Sequence, residues 1–126
     1  MSSNPKTILV VEDQDDLRRI LHLALKSAGY RVLEANNGAD GVALALSASP
    51  DLILMDIQLP VLDGYEAIRR IRAEDGMAGV PIIAVSSFAM KGDEEKARTA
   101  GCDVYVSKPY SPMQLLGRVR NILDKS

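Results

Sequence analysis

Three short, uninterrupted apolar runs constrain the fold of this chain more than any other feature of its sequence. The runs are Thr7–Val11, residues 52–55 and residues 82–85, and they are rich in isoleucine, valine and leucine. A strand that is apolar at every position needs cover on both faces, which is typical of a parallel sheet between two helical layers. Residues 32–35 and 104–106 are weaker runs of the same kind, and we predict that they form the edges of the sheet.

Between these runs, apolar residues recur every three or four positions, which indicates amphipathic helices. We predict helices over residues 17–28, 38–47, 64–74 and 93–100, and a last helix that opens at Ser111. The predicted buried stripe of the first helix consists of Leu17, Ile20, Leu21, Ala24, Leu25 and Ala28. Gly29 follows it where a left-handed cap is expected, and Pro112 takes the first position of the last helix. The fourth helix has almost no apolar residue larger than alanine, so we expect it to pack lightly and to move easily.

Five strands that alternate with five helices require parallel pairing through right-handed crossovers. We therefore predict an α/β fold with a doubly wound, five-stranded parallel sheet. The flavodoxin-like strand order 2-1-3-4-5 places both weak strands at the edges. A chain of 126 residues has the size of one domain, which we place over residues 1–126 with a core at about 6–124.

The composition bears on what the protein contacts. Its formal charge is −2, from 15 basic and 17 acidic side chains without a block of like charge, which gives no attraction to nucleic acid or membrane. No apolar run approaches the length of a membrane span, and the first residues hold no apolar targeting segment. We expect a cytoplasmic protein that binds a protein or a small ligand. The single cysteine, Cys102, excludes an internal disulfide and is expected to fill space in the core.

Polar side chains stand at the carboxyl ends of four predicted strands. Glu12 and Asp13 follow the first strand, Asp56 the third, Ser86 the fourth and Lys108 the fifth. In an open parallel sheet these ends share one edge, and ligands bind there beside the switch in strand order. The sequence therefore predicts that three carboxylates, a hydroxyl and an ammonium group meet at one place.

Each of these residues also has a purely structural alternative. A carboxylate after a strand often caps the next helix, and for any one of the three we weigh that role equally with a functional one. Asp15 and Asp16 are the better candidates for capping the first helix. Ser86 could simply end its strand, and Lys108 could be a solvated surface residue, although its place before Pro109 argues against that. Their joint occurrence at four strand ends favours a functional site.

The three carboxylates predict a bound cation. Two carboxylates at about 4 Å repel each other by roughly 4 kcal/mol at an effective dielectric constant near 20, so three together need a positive charge. Oxygen ligands without nearby histidine or cysteine favour a hard ion, and a small number of carboxylates favours Mg²⁺, which can bridge to phosphate oxygens. With Lys108 as a second positive charge and Ser86 as a hydroxyl donor, the set can form and hold an acyl phosphate on Asp56.

The same segments resemble the receiver domain of two-component response regulators, the CheY-like family. The resemblance extends over practically the whole chain, and the order and spacing of its motifs are highly specific. It is carried by Val10-Val11-Glu12-Asp13, residues 51–56 followed by Leu59-Pro60 and Asp63-Gly64, Ser86, and Lys108-Pro109.

The resemblance implies a role for each position of the site. Asp56 is the expected phosphoacceptor. Asp13 and Asp56 are expected to ligate Mg²⁺ directly, Glu12 to act through water, and the backbone carbonyl of Gln58 to complete the protein ligands. Lys108 is expected to pair with the phosphoryl group.

The resemblance also implies a conformational switch. Ser86, which stands where threonine is commoner, is the hydroxyl expected to be drawn toward the phosphate, and Tyr105 is the aromatic expected to turn inward behind it. The peptide bond between Lys108 and Pro109 is expected to be cis. Gln58 and Phe88 occupy the positions that tune hydrolysis of the aspartyl phosphate, and Phe88 could shield the site from water or simply pack the loop.

The expected partners are proteins. A sensor histidine kinase or a histidine phosphotransfer protein would supply the phosphoryl group. Because the chain ends at Ser126 without an attached effector, we expect output through another protein, by docking on the face of the fourth helix, fifth strand and fifth helix or by onward phosphotransfer. His22 on the first helix could contact the phosphodonor, or it could belong to a solvated face, which we favour.

Three other functions compete with this interpretation. A phosphohydrolase with an aspartate nucleophile would need a second aspartate two residues later, where this chain has Gln58. We therefore expect no enzyme activity beyond the protein's own phosphorylation and dephosphorylation. A nucleotide- or flavin-binding module would need a G-x-G-x-x-G or Walker loop after the first strand, and neither is present. A constitutive interaction module is disfavoured because every reactive position is filled.

Overall fold

The computed structural model describes residues 5–87 and 92–124 of the chain. Within this part, five strands and five helices alternate: β1 Thr7–Val11, α1 Asp15–Ser27, β2 Arg31–Ala35, α2 Gly38–Ala48, β3 Leu52–Asp56, α3 Gly64–Arg72, β4 Ile82–Ser86, α4 Asp93–Ala100, β5 Val104–Ser107 and α5 Pro112–Leu123. The strands pair in parallel in the order β2-β1-β3-β4-β5. The predicted fold class and strand order are confirmed. Phe88 lies outside the described residues, so its role stays a prediction.

Side chains that alternate along the strands fill both faces of the sheet. Leu9 and Ile53 belong to the layer covered by α2, α3 and α4, and Ile8 and Leu54 to the layer covered by α1 and α5. Every residue of β3 and β4 is buried, whereas the edge strands β2 and β5 are partly open to solvent, as predicted. Cys102 is buried in the first of these layers, where it fills core space as expected.

Two helices show how well the apolar spacing predicts packing. α4 buries only Ala97 and Ala100, in agreement with the light packing expected for it. In α1, Leu21 and Leu25 are buried, but Ile20 is 47% exposed, so its assignment to the buried stripe was wrong. Ile20 lies about 100° around the helix axis from Leu21, outside the narrow face that meets the sheet.

In the described part of the chain, no helix has both the length and the apolar character needed to cross a membrane.

The connection from β3 to α3 closes tightly against the end of the sheet. Gly64, the first residue of α3, donates its backbone N–H to the carbonyl of Ile57 at 2.9 Å. A Cβ atom added to Gly64 would lie 2.3 Å from the carbonyl oxygen of Asp56. The start of α3 therefore touches the backbone of the strand end that carries Asp56, and only glycine fits there.

Gly64→Ala is expected to lower the free energy of unfolding by about 2 kcal/mol, because α3 must move away from β3 to admit the methyl group. Gly117→Ala is the matched control. Nothing lies within 4 Å of a Cβ atom at Gly117 in α5, so alanine there should stabilise the helix by about 0.5–1 kcal/mol. Urea denaturation of the two variants measures both values, and a Gly64→Ala protein as stable as wild type would contradict the close contact.

Candidate functional site

The carboxyl edge of the sheet brings an acidic pair and a lysine into direct contact. Glu12 and Asp56 are 2% and 3% exposed. The Nζ atom of Lys108 donates hydrogen bonds to Glu12 Oε1 and to Asp56 Oδ2, at 3.1 Å in each case. Lys108 is therefore a partly buried counter-ion to both carboxylates and not a solvated surface residue.

Backbone groups complete the hydrogen bonding of the two carboxylates. The N–H of Gln14 donates to Glu12 Oε2 at 3.0 Å, and the N–H of Gln58 donates to Asp56 Oδ1 at 3.1 Å.

The prediction that Asp15 or Asp16 caps α1 was wrong. Gln14 is the N-cap residue, without a side-chain cap bond, and both aspartates lie in the first turn, where their negative charge is favourable.

Asp13 adds a third carboxylate on the solvent side of this pair. Asp13 is exposed, and one oxygen each from Glu12, Asp13 and Asp56 lie within 4.8 Å of one another. These donors are all oxygens, and the open side of the cluster leaves room for water. That combination suits a small, hard cation that keeps part of its hydration shell, as Mg²⁺ does.

Burial controls the protonation of the site. Burial raises the pKa of Glu12 to about 7, and the charge of Asp56 adds to this, while the Gln14 N–H and Lys108 oppose it. Burial by itself would lower the pKa of Lys108, but Asp56 and Glu12 together raise it above its ordinary value. The lysine therefore stays charged at neutral pH, and the excess negative charge of the cluster favours uptake of a cation.

Ser86 and Tyr105 lie on one face of the sheet beside this site. Ser86 ends β4 and is completely buried, and its carbonyl accepts a hydrogen bond from the N–H of Lys108 at 2.7 Å. Tyr105 pairs with Ala84, two residues before Ser86, and is half-buried against the layer covered by α2, α3 and α4. Tyr105 therefore lies on the same face of the sheet as Ser86, next to the strand position two residues before it. Movement of either side chain stays a prediction.

The fold and the site agree with the comparisons to known proteins. A family model described as the response regulator receiver domain matches residues 8–120. The chain belongs to this family. Receiver domains are switches of two-component signalling.

Curated relatives of this receiver domain cover nearly its whole length. It is 39% identical to the polar-differentiation response regulator DivK of Brucella anthropi over 119 residues. These residues cover 94% of this chain and 97% of that relative. It is 36% identical over 118 residues to DivK of Brucella ovis, across 94% of this chain and 96% of the relative.

Solved structures show the same similarity. A CheY-like receiver domain protein of Methanospirillum hungatei superposes with a TM-score of 0.90 at 29% identity, over 97% of this chain and 96% of that one. The receiver domain of the sensor histidine kinase PA1611 of Pseudomonas aeruginosa has a TM-score of 0.85 at 39% identity, over 94% and 97% of the two chains. That crystal structure contains a magnesium ion coordinated in the active-site cleft.

Two features of this receiver domain concern the loops after β3 and β5. The peptide bond between Lys108 and Pro109 is cis, as the resemblance implied. The side-chain oxygen of Gln58 accepts a hydrogen bond from the N–H of Ser87 at 2.8 Å. Sequence reasoning missed this link between the ends of β3 and β4, because no local pattern associates a glutamine with a backbone group 29 residues away.

His22 makes contacts within the receiver domain. Its Nδ1 atom is hydrogen-bonded to Glu34 on β2, and Arg18 Nε donates to the other oxygen of that carboxylate at 2.9 Å. The His22 side chain is 30% exposed, so it is tied to the neighbouring strand and not simply solvated. A contact between His22 and a phosphodonor stays a prediction.

The raised pKa of Glu12 predicts a pH-dependent stability of the metal-free protein. The folded chain holds this proton more tightly than the unfolded chain, whose carboxyl has its ordinary pKa of 4.5. The contribution of Glu12 to the free energy of unfolding is therefore fully present below about pH 4.5, and it is lost as the pH rises through about 7. Glu12→Gln, which cannot ionise, should remove on the order of 2 kcal/mol of the stability difference between pH 5 and pH 8. Urea denaturation with chelator measures this, and equal pH dependence in both proteins would contradict it.

Proposed function

We propose that this receiver domain is a phosphorylation-dependent switch in which Asp56 accepts a phosphoryl group from a histidine kinase or a histidine phosphotransfer protein. The observation that carries the proposal is the ammonium group of Lys108, held 3.1 Å from both Glu12 and Asp56, with Asp13 open to solvent beside them. We also propose that residues 1–126 form a single domain with a core at about 6–124.

The transfer itself requires little covalent chemistry from the protein. An oxygen of Asp56 attacks the phosphorus of the phosphohistidine, the oxygen–phosphorus bond forms, and the phosphorus–nitrogen bond breaks to release the histidine. Asp13, Asp56 and the Gln58 carbonyl would hold Mg²⁺ directly, and Glu12 would act through water. The bound ion supplies positive charge to the phosphoryl oxygens. Lys108 already donates to Asp56 and can turn toward the incoming phosphoryl group.

The signal is a shift between two states of the domain. Phosphorylation adds negative charge and strong acceptor oxygens, which recruit the hydroxyl of Ser86 and the ammonium group of Lys108. The movement passes to Tyr105 and to α4, which the two buried alanines Ala97 and Ala100 hold only lightly. The output surface is the face of α4, β5 and α5, where Tyr105 and residues of α5 line an open groove. A downstream protein docks there, or the phosphoryl group is passed on.

Intact mass spectrometry tests the proposal. Incubation with acetyl phosphate and Mg²⁺ should add one phosphoryl group to the wild-type protein and none to Asp56→Asn. Asparagine has nearly the same shape as aspartate, so a folded variant without the mass gain isolates the role of the carboxylate. Absence of a gain in wild type with every phosphodonor, or an equal gain in both proteins, would refute the proposal.

A further inference from the structure

Tyr110 carries a buried hydroxyl that is not used by the site as described so far. Among residues 5–87 and 92–124, its oxygen finds no hydrogen-bond partner. The residue stands two positions after Lys108, between β5 and α5, and its ring packs against the core layer beneath α1 and α5. Burial of an unpaired hydroxyl costs free energy, so a second state of the protein in which the hydroxyl is paired would recover that cost.

The surroundings of Tyr110 point to Glu12 as its partner. Tyr110 lines a cavity between the β1–α1 and β5–α5 connections together with Gln14 and Lys108. Those two residues supply the hydrogen bonds to the two oxygens of Glu12. Burial is the main cause of the raised pKa of Tyr110. The negative charge of Glu12 raises this pKa further, and that of Asp56 contributes less. The phenol therefore stays protonated and keeps a hydrogen to donate.

We propose that Tyr110 is a positioning residue of the phosphorylation site, whose hydroxyl donates a hydrogen bond to Glu12 when Lys108 turns to the phosphoryl group. In the resting protein Lys108 donates the hydrogen bond to Glu12 Oε1, so this oxygen does not require the Tyr110 hydroxyl as a donor. Once Lys108 leaves, a buried carboxylate oxygen loses its donor, and Tyr110 replaces it. This inference rests on the proposed function, since it requires a phosphoryl group on Asp56.

Tyr110→Phe tests the inference by comparing the resting state with the state in which Asp56 carries a mimic of the phosphoryl group. Beryllium fluoride with Mg²⁺ is the probe, because it adds to a carboxylate as a stable mimic of the phosphoryl group. We expect Tyr110→Phe to bind the probe about 10-fold more weakly than wild type, while the resting variant unfolds at the same or a higher temperature. A purely structural role would instead lower the resting stability as well.

Tyr65→Phe is the matched control, because the Tyr65 hydroxyl is also buried without a hydrogen-bond partner among the described residues. Tyr65 lies on α3, with Lys96 Nζ 4.5 Å from its ring centre, and belongs to the opposite core layer. Its replacement should change the affinity for the probe less than twofold. An equal loss of affinity in both variants would overturn the inference, because it would reflect general packing.

Nuclear magnetic resonance of the wild-type protein with ¹³Cζ-labelled tyrosine provides a second readout, which does not depend on the folding of a variant. On addition of Mg²⁺ and beryllium fluoride, the Tyr110 signal should move to higher frequency as its hydroxyl begins to donate to a carboxylate. If the wild type does not bind the probe at all, the proposed function itself fails. If wild type and Tyr110→Phe bind it equally, or the Tyr110 signal does not move, only the role of Tyr110 is refuted.

Discussion

Asp13→Asn is expected to weaken Mg²⁺ binding and to slow phosphorylation of Asp56, each on the order of 100-fold. The two other carboxylates of the cluster, Glu12 and Asp56, are buried and already share the charge of Lys108. Asp13 is the exposed carboxylate without such a counter-ion in the described structure, so it contributes most of the net attraction for an incoming cation. Titration with Mg²⁺ followed by nuclear magnetic resonance, and time courses with acetyl phosphate, measure the two effects.

Asp16→Asn is the matched control for this prediction. Asp16 is an exposed aspartate in the first turn of α1, outside the acidic cluster, and its substitution removes the same formal charge. Mg²⁺ affinity should change less than about twofold, because an exposed charge outside the cluster is largely screened by water and salt. Wild-type affinity in Asp13→Asn, or an equal loss in both variants, would show that the cation is not held at this cluster.

Arg72→Ala is expected to lower the free energy of unfolding by about 3 kcal/mol. The guanidinium group is largely buried and joins three segments at the amino-terminal edge of the sheet. It donates hydrogen bonds at 2.7–2.9 Å to the carbonyl oxygens of Met77, Val80 and Gly101 and to Asp103 Oδ2. The same Asp103 oxygen accepts the N–H of Ile82 at 2.9 Å, at the start of β4. Alanine would leave several partly buried acceptors without their donor.

Two further variants make this prediction specific. Arg69→Ala, on the same helix, removes an exposed ion pair with Glu66 and should cost less than about 0.5 kcal/mol. Arg72→Lys keeps the charge but lacks the planar set of donors, so it should recover only a small part of the loss. If Arg72→Ala were as stable as Arg69→Ala, the network around Arg72 would contribute little to the fold. Chemical denaturation of all three proteins provides the comparison.

The fold could be predicted because its three central strands are apolar at nearly every position and its helices alternate with the strands in order. Parallel strands end at a common edge, so the residues after them could be assigned to one site from their order in the sequence alone. This reasoning correctly placed Glu12, Asp56 and Lys108 together, with contacts of 3.1 Å from the lysine to each carboxylate.

The parts that could not be predicted depend on contacts between distant residues. Arg69, Arg70 and Arg72 look alike in the sequence, yet only the third reaches Gly101 and Asp103 across the α3–α4 side of the fold, among the residues described. The cap of α1 was assigned to Asp15 and Asp16, but the local backbone makes Gln14 the N-cap residue and turns its N–H toward Glu12. The orientation of a hydroxyl such as that of Tyr110 has no signature in sequence periodicity.

The most direct test of Asp56 as phosphoacceptor is chemical mapping after transfer from a phosphorylated histidine phosphotransfer domain. Borohydride reduction converts an aspartyl phosphate into homoserine, which peptide mass spectrometry assigns to one position. We predict homoserine at position 56 in the wild-type protein, at no other acidic residue, and only when Mg²⁺ is present during the transfer. Homoserine at Asp13 instead of Asp56, hydroxynorvaline (the reduction product of a glutamyl phosphate) at Glu12, or a phosphoryl group that remains on the donor histidine would contradict the proposed function.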